Sequence, residues 1–156
     1  MSFPGIPSLD AAVMAFIQTH FHNTVTDTVF PIITSLGEAG IGWIVLSLVL
    51  LCFKKTRRTG GLVLIAMTVT LLFGELTLKN IICRLRPCNV FTDFPMLIAR
   101  PTSYSFPSGH TSSSFAAALI LTLRHKKVGW LAYIPAVLIA FSRIFLFVHY
   151  PTDVLA

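Results

Sequence analysis

Three polar stretches carry the residues whose types and spacing could do chemistry: KNIICRLRP at 79–87, YSFPSGHT at 104–111 and SRIFLFVHYPTD at 142–153. Lys79 and Arg86 are seven residues apart, which on a continuing helix places them nearly on one face. Glu75, one turn before Lys79, is positioned to hold its ammonium as an i,i+4 pair. In PSGH, Pro107 is suited to begin a helix, and Gly109 lets backbone approach a ligand closely. The free N–H groups of that helix start, with the Ser108 hydroxyl, form a natural anion cradle, and His110 projects from the first turn beside it. The third stretch adds Arg143, whose guanidinium suits two parallel hydrogen bonds to phosphate oxygens. It also holds His149 and Asp153, four apart around Pro151. A carboxylate on one imidazole nitrogen fixes the tautomer and frees the other nitrogen to attack.

Each piece has a plainer reading by itself. Lys79 and Arg86 could anchor a span at the headgroups. His110 alone would more often be structural, and His149 with Asp153 could be an ordinary hydrogen bond at a helix cap. Together they form a different set: two histidines, one orienting carboxylate, three cations within reach of a phosphate and a helix N-terminus. That set is complete for phosphoryl transfer through a covalent phosphohistidine. No acidic cluster is available to hold magnesium and no second carboxylate pairs with Asp153, so a reaction without metal or cofactor is expected.

The elements that must bring these stretches together are apolar. Of 156 residues 54% are hydrophobic and only 12% charged, well below a soluble domain, and mean hydropathy is +0.79. Long apolar runs produce this balance, so the expected architecture is all-α, a polytopic transmembrane helical bundle in one domain, residues 1–156. The first ten residues lack the basic start and apolar run of a cleavable signal peptide. Residues 9–22 read as an amphipathic helix in the membrane interface, with Leu9, Val13, Phe16, Ile17 and Phe21 on one face and Asp10, Gln18, Thr19 and His22 on the other. Residues 23–36 read as a second short helix, interrupted by Pro31 and ended at Gly37. Spans are expected at 39–53, 62–78, 108–123 and 128–148. The first is short against the roughly 20 residues a bilayer core needs. Another apolar helix starts at Pro151 and is expected to lack part of its length at Ala156.

Loop charge sets the orientation. Lys54, Lys55, Arg57 and Arg58 follow the first span, and Arg124, Lys126 and Lys127 follow the third. If each span crosses once, both clusters share a side, and the positive-inside rule makes it cytoplasmic. The segments around Lys79, His110 and His149 then emerge together on the extracytoplasmic face of the cell membrane.

In the long connection 81–107, Arg84 and Arg100 are extra cations that either attract an anionic substrate or pair with Asp93. Phe91, Phe94, Pro95, Met96 and Leu97 either pack that loop down or dip into the interface. Ser112–Ser114 and the alanines after them give a small-residue helix face suited to close packing. Cys52, Cys83 and Cys88 show no metal spacing, and the last two are read as separate thiols or as a disulfide in an oxidising compartment. His20, His22 and His125 receive no role.

The three stretches resemble the signature motifs of the type-2 phosphatidic acid phosphatase superfamily: Lys79-x6-Arg86-Pro87, Pro107-Ser108-Gly109-His110 and Ser142-Arg143-x5-His149-x3-Asp153, intact and in order. The likeness covers residues 79–153, about half the chain, and leaves the N-terminal third unmatched. It implies an integral-membrane helical fold, commonly of six spans. It also implies that His149 attacks phosphorus while Asp153 orients it, and that His110 protonates the leaving oxygen and then activates water. Lys79, Arg86, Ser108, Gly109 and Arg143 would hold the phosphoryl oxygens. The implied substrate is a membrane lipid phosphate: undecaprenyl diphosphate, phosphatidylglycerol phosphate or phosphatidic acid. The compact size and short loops resemble the undecaprenyl-diphosphatase-like members more. The expected partners are that lipid and the bilayer, with no nucleic acid and the oligomeric state open. Two alternatives stay in view: a phosphotransferase passing the phosphoryl group to a lipid or sugar hydroxyl, and a non-catalytic anionic-lipid binder or transporter.

Overall fold

A computed structural model describes residues 3–156; Met1 and Ser2, the start of the stretch read for a leader sequence, lie outside the described residues. Among the described residues all regular structure is helical. The elements are α1 (Ser8–His20), α2 (Thr24–Leu36), α3 (Ile41–Cys52), α4 (Arg57–Thr70), α5 (Lys79–Ile82), α6 (Pro87–Val90), α7 (Gly109–Arg124), α8 (Tyr133–Phe145) and α9 (Pro151–Leu155). A π-helical stretch, Leu71–Leu78, joins α4 to α5 without a break, so a single rod runs from Arg57 to Ile82.

The helix starts follow local chemistry. Asn23 caps α2: its side chain accepts from Val25 N and Thr26 N while the Thr26 hydroxyl accepts from Asn23 N. Pro31 lies inside α2 and does not interrupt it, contrary to expectation. The break comes at Gly37–Gly40 instead, where Gly40 takes φ +69°. There α2 gives way to α3 through a short 3-10 turn, with a bend of 45°. α7 begins at Gly109 with Ser108 in extended geometry at its cap, so Pro107 sits before the helix rather than starting it.

Three helices pack antiparallel in sequence. Gly60 on α4 lies against the backbone of Ser47 on α3, with an added Cβ placed 2.5 Å from its carbonyl oxygen. Gly109 meets Glu75 at one end of the α4–α7 pair, and Thr59 bonds His125 at the other, 3.1 Å apart. The expected small-residue face of α7 is buried here: Ser114, Ala117 and Ala118 pack inward, and Ser114 accepts from the Trp43 indole at 2.9 Å. α8 returns beside α7 through a tight turn in which Gly129 meets the Leu121 carbonyl.

The outer surface is oily. The stretch Arg57–Val90 is long and apolar enough to cross a membrane, and only 11% of its apolar window is buried inside the protein, unlike the core helix of a soluble domain. The bent pair Thr24–Leu36 and Glu38–Cys52 forms a second candidate, and the apolar stretch Gly129–Phe145 is shorter. Leu48, Val49, Ile65, Val69, Leu72 and Phe73 all point outward, an apolar surface that water would penalise and lipid would not.

α1 forms, but with its polar residues inward. Asp10 and Gln18 are buried with Met14 and Ile17 while Leu9 and Phe16 face out, because Gln18 donates to the Phe145 carbonyl at 3.0 Å and Asp10 binds the start of α9. The loop aromatics also turn inward. Phe94 stacks on Phe147 at 3.9 Å and Phe91 packs beside it.

Two adjacent glycines on α4 separate close packing from open surface. Gly60→Ala is expected to lower thermal stability in detergent by about 1–3 kcal/mol, because the methyl meets backbone that must move. Gly61→Ala, whose Cβ meets nothing within 4 Å, should raise stability by about 0.5–1 kcal/mol. Equal effects at the two positions would contradict the α3–α4 contact.

Candidate active site

Six of the eight residues singled out by motif line one cavity of about 850 Å³: Lys79, Arg86, Gly109, His110, Arg143 and His149. Each comes from a different local device. Lys79 opens the last turn of the long rod, and its ammonium meets Glu75 Oε1 at 2.6 Å, the i,i+4 pair expected from spacing. Arg86 does not share a helix face with it. The helix ends at Ile82, Cys83 adopts φ +51°, and Arg86 enters the cavity from extended backbone before Pro87 opens α6. Arg143 reaches in from the last turn of α8 and donates to Thr34 Oγ1 at 2.5 Å, leaving its Nε without a partner.

Gly109 and Gly37 make close approaches possible. A Cβ on Gly109 would fall on the Glu75 carboxylate, 2.1 Å from Oε1. One on Gly37 would strike the His110 ring at 2.9 Å and Ile139 at 2.8 Å. The α2–α3 bend therefore closes over His110, whose Nε2 faces Glu38 Oε2 at 3.6 Å and has no hydrogen-bond partner.

Ser108 and Asp153 do not line the cavity; both are buried behind it. The Ser108 hydroxyl accepts from Thr111 Oγ1 at 2.9 Å and its N–H donates to the Asp153 carbonyl at 3.1 Å, so neither group lies free at the helix start. Asp153 faces the nucleophile candidate from the rear. Its Oδ2 stands 3.6 Å from His149 Nδ1, at ion-pair distance, and accepts from Tyr150 N at 2.9 Å and from Ser105 Oγ. On the cavity side, Arg86 Nη1 donates to His149 Nε2 at 2.8 Å. A guanidinium has no lone pair to offer, so Nε2 is the acceptor and Nδ1 carries the proton toward Asp153. Arg86 is held by the Ser103 and Val148 carbonyls at 2.8 and 2.9 Å.

Sequence reasoning missed Ser105, Ser103 and Thr34, hydroxyls that hold Asp153, Arg86 and Arg143. Ser105 stood inside the stretch already marked as polar, whereas nothing in the sequence pointed to Thr34. Of the two readings of the extra cations, pairing with Asp93 does not occur, while Arg100 lines the cavity. Arg84 pairs with Asp153 and Asp10 rather than with Asp93, and Arg100 donates to the carbonyls of Cys88, Thr92 and Phe94. For Arg84, the reach of a guanidinium toward two buried acids overrides sequence proximity to an exposed one. Cys83 and Cys88 are free thiols, the first exposed and the second buried.

Fold and site define a helical membrane protein with a buried, cation-rich, two-histidine cavity at one end of its bundle. A family model described as the PAP2 superfamily matches residues 59–156, and the chain belongs to that family. It is 38% identical over 115 residues to an undecaprenyl-diphosphatase of Sulfolobus acidocaldarius, covering 73% of this chain and 55% of that one. It is 33% identical over 143 residues to an undecaprenyl-diphosphatase of Bacillus subtilis, covering 86% and 68%. The crystal structure of a transmembrane PAP2-type phosphatidylglycerolphosphate phosphatase from Bacillus subtilis superposes with TM-score 0.74 at 29% identity, covering 98% of this chain and 79% of that one. The chain thus spans just over half the length of the Sulfolobus relative.

Burial is the main cause that pushes the His149 pKa down, to about 3; Asp153 opposes it, and the charges of Arg86 and Arg143 add to it. The folded value lies below the ordinary one near 6.5, so the folded state excludes a proton that the unfolded chain would take. That stability is present above about pH 6.5 and lost as pH falls toward 3. Nitrogen-15 imidazole spectra of the protein in detergent should show His149 as the neutral Nδ1–H tautomer at pH 5. An imidazolium there would contradict the geometry.

Proposed function

We propose that this protein hydrolyses a lipid phosphate or lipid diphosphate at the extracytoplasmic membrane face without a metal ion, through a phosphohistidine intermediate. The observation that carries the reading is the meeting of His110, His149, Lys79, Arg86 and Arg143 in one cavity. The His149 Nε2 lone pair attacks phosphorus and the bond to the leaving oxygen breaks, with His110 giving that oxygen its proton. His110 then takes a proton from water, whose oxygen attacks phosphorus. The P–N bond breaks, releasing phosphate and restoring His149. Asp153 stabilises the positive charge that develops on the His149 ring. Lys79, Arg86, Arg143 and the Gly109 end of α7 hold the phosphoryl oxygens and spread the transition-state charge. Ser108 acts from behind by fixing the start of α7.

A lipid substrate is supported by the other end of the cavity, where Pro31, Ile44, Leu64, Met67 and Leu71 replace the charged groups. An alkyl or prenyl tail matches such a wall, and the named activities of the two relatives favour a polyprenyl diphosphate. The sidedness reading is supported by the Thr59–His125 contact, which puts both basic loops at the end of the bundle away from the cavity. A multi-pass arrangement follows if α7 and α8 cross with their flanking turns.

Purified protein tested on polyprenyl diphosphate, phosphatidylglycerol phosphate and phosphatidic acid with EDTA present should release phosphate, and His149→Ala should lower turnover by at least about 10³-fold. Activity that vanishes with EDTA and returns with magnesium would overturn the metal-free mechanism. Retained function in His149→Ala would favour a binder, and a phosphorylated hydroxyl product a transferase.

A further inference from the structure

Behind His149 lies a second charged cluster that the motifs do not account for. Arg84 Nη1 donates to Asp153 Oδ1 at 2.5 Å and to Thr152 Oγ1 at 2.7 Å, while Nη2 donates to Asp10 Oδ2 at 2.7 Å. Its guanidinium lies over the Tyr150 ring, 3.8 Å from the centroid. Asp10 also accepts from Thr152 N at 2.9 Å and from the Thr152 hydroxyl at 2.7 Å. Both carboxylates are fully buried, whereas the Arg84 side chain is 23% exposed. Asp10 comes from α1, outside the 59–156 stretch matched to the family.

We propose that Arg84 is a positioning residue for catalysis: it keeps Asp153 ionised next to a second buried carboxylate, Asp10, and so ties the N-terminal helix to the state of the nucleophile. The proposal rests on the reading of His149 as nucleophile and Asp153 as its orienting group.

The physics is that of two acids sharing a dry site. One guanidinium between two carboxylates lets both remain charged. Without it, their mutual repulsion and the cost of burial favour uptake of one proton by the pair. A protonated Asp153 no longer sets a negative charge against Nδ1–H and no longer stabilises the imidazolium that forms on attack. The two oxygens of Asp153 divide this work. Oδ1 faces Arg84, while Oδ2 faces Ser105, the Tyr150 N–H and His149. The other charged and titratable groups lining the cavity with His149 are Arg86, Arg143, Lys79, Arg100, His110, Glu38 and Glu75, and Asp10 faces only Arg84 and Thr152. Removing Arg84 therefore changes the charge balance on one side of the ring only.

Arg84→Gln should lower kcat by about 10²-fold with little change in KM, and move the acid limb of the kcat profile to higher pH, since more alkali is needed to ionise Asp153. Arg84→Gln combined with Asp10→Asn removes the second carboxylate and should recover roughly tenfold of kcat and return the limb toward the parent. A purely structural role predicts the reverse, a double variant worse than either single one. Asp93→Asn, an exposed loop acid, serves as the control. An infrared readout stands apart from activity: Arg84→Gln at pH 7 should show a protonated-carboxyl C=O stretch that disappears in the double variant. A parent inactive on every lipid phosphate overturns the proposed function. No carboxyl band in Arg84→Gln, or no recovery in the double variant of an active parent, overturns this inference.

Discussion

Three cations buried at one end of an apolar bundle constrain everything else in this structure. Lys79, Arg86 and Arg143 are 5%, 4% and 3% exposed, yet only Lys79 has an acid within hydrogen-bond reach inside the cavity. Burying one such charge costs several kcal/mol even after relaxation. The fold offsets this with neutral oxygens: the Ser103 and Val148 carbonyls and the Ser103 hydroxyl for Arg86, and the Thr34 hydroxyl for Arg143. What these leave over, including the unpartnered Arg143 Nε, is positive potential directed into a cavity. A doubly charged phosphoryl group is the ligand that such a site stabilises most, because its oxygens accept from several donors at once.

That requirement explains the bundle's arrangement. Lys79 and Arg143 come from helix ends, where a long side chain leaves the apolar zone without crossing it, and Arg86 from the extended segment that follows the long rod. The long rod that begins with α4, together with α7 and α8, brings Lys79, His110 and Arg143 to one end of the antiparallel bundle, and the other ends of these helices carry the basic loops. The α2–α3 bend at Gly37–Gly40 completes the enclosure by fitting against His110 and Ile139, which only a residue without Cβ allows. The same bend supplies part of the apolar wall, so one break in a helix pair serves both the phosphate end and the tail end.

The sequence was legible where a requirement is local. Glu75 and Lys79 pair as i,i+4 spacing demands, the small residues on α7 pack, and the apolar runs become helices. It was misleading where a helix breaks off or a distant partner decides. Lys79 and Arg86 converge because Cys83 turns the backbone left-handed, and no helical periodicity records that. The amphipathic reading of α1 placed Asp10 and Gln18 outward, whereas both are buried with Ile17 because they have partners 126 or more residues away. The helix over the stretch read as 62–78 starts earlier, at Arg57, and Thr59 and Gly60 pack there against α7 and α3.

His149 sits on the boundary between two opposed charge clusters. On its cavity side are Lys79, Arg86 and Arg143; behind it are Asp153 and Asp10, bridged by Arg84. This polarity fixes the tautomer without any movement, because Arg86 donates to Nε2 and the Nδ1 proton faces the carboxylate. It also suits the proposed attack. As Nε2 bonds to phosphorus, Arg86 loses its acceptor there and gains phosphoryl oxygens, while the charge arising on the ring faces an acid already in place. The rearrangement is one donor exchanging partners within a fixed frame, and the cost of solvating new charge has been met by folding.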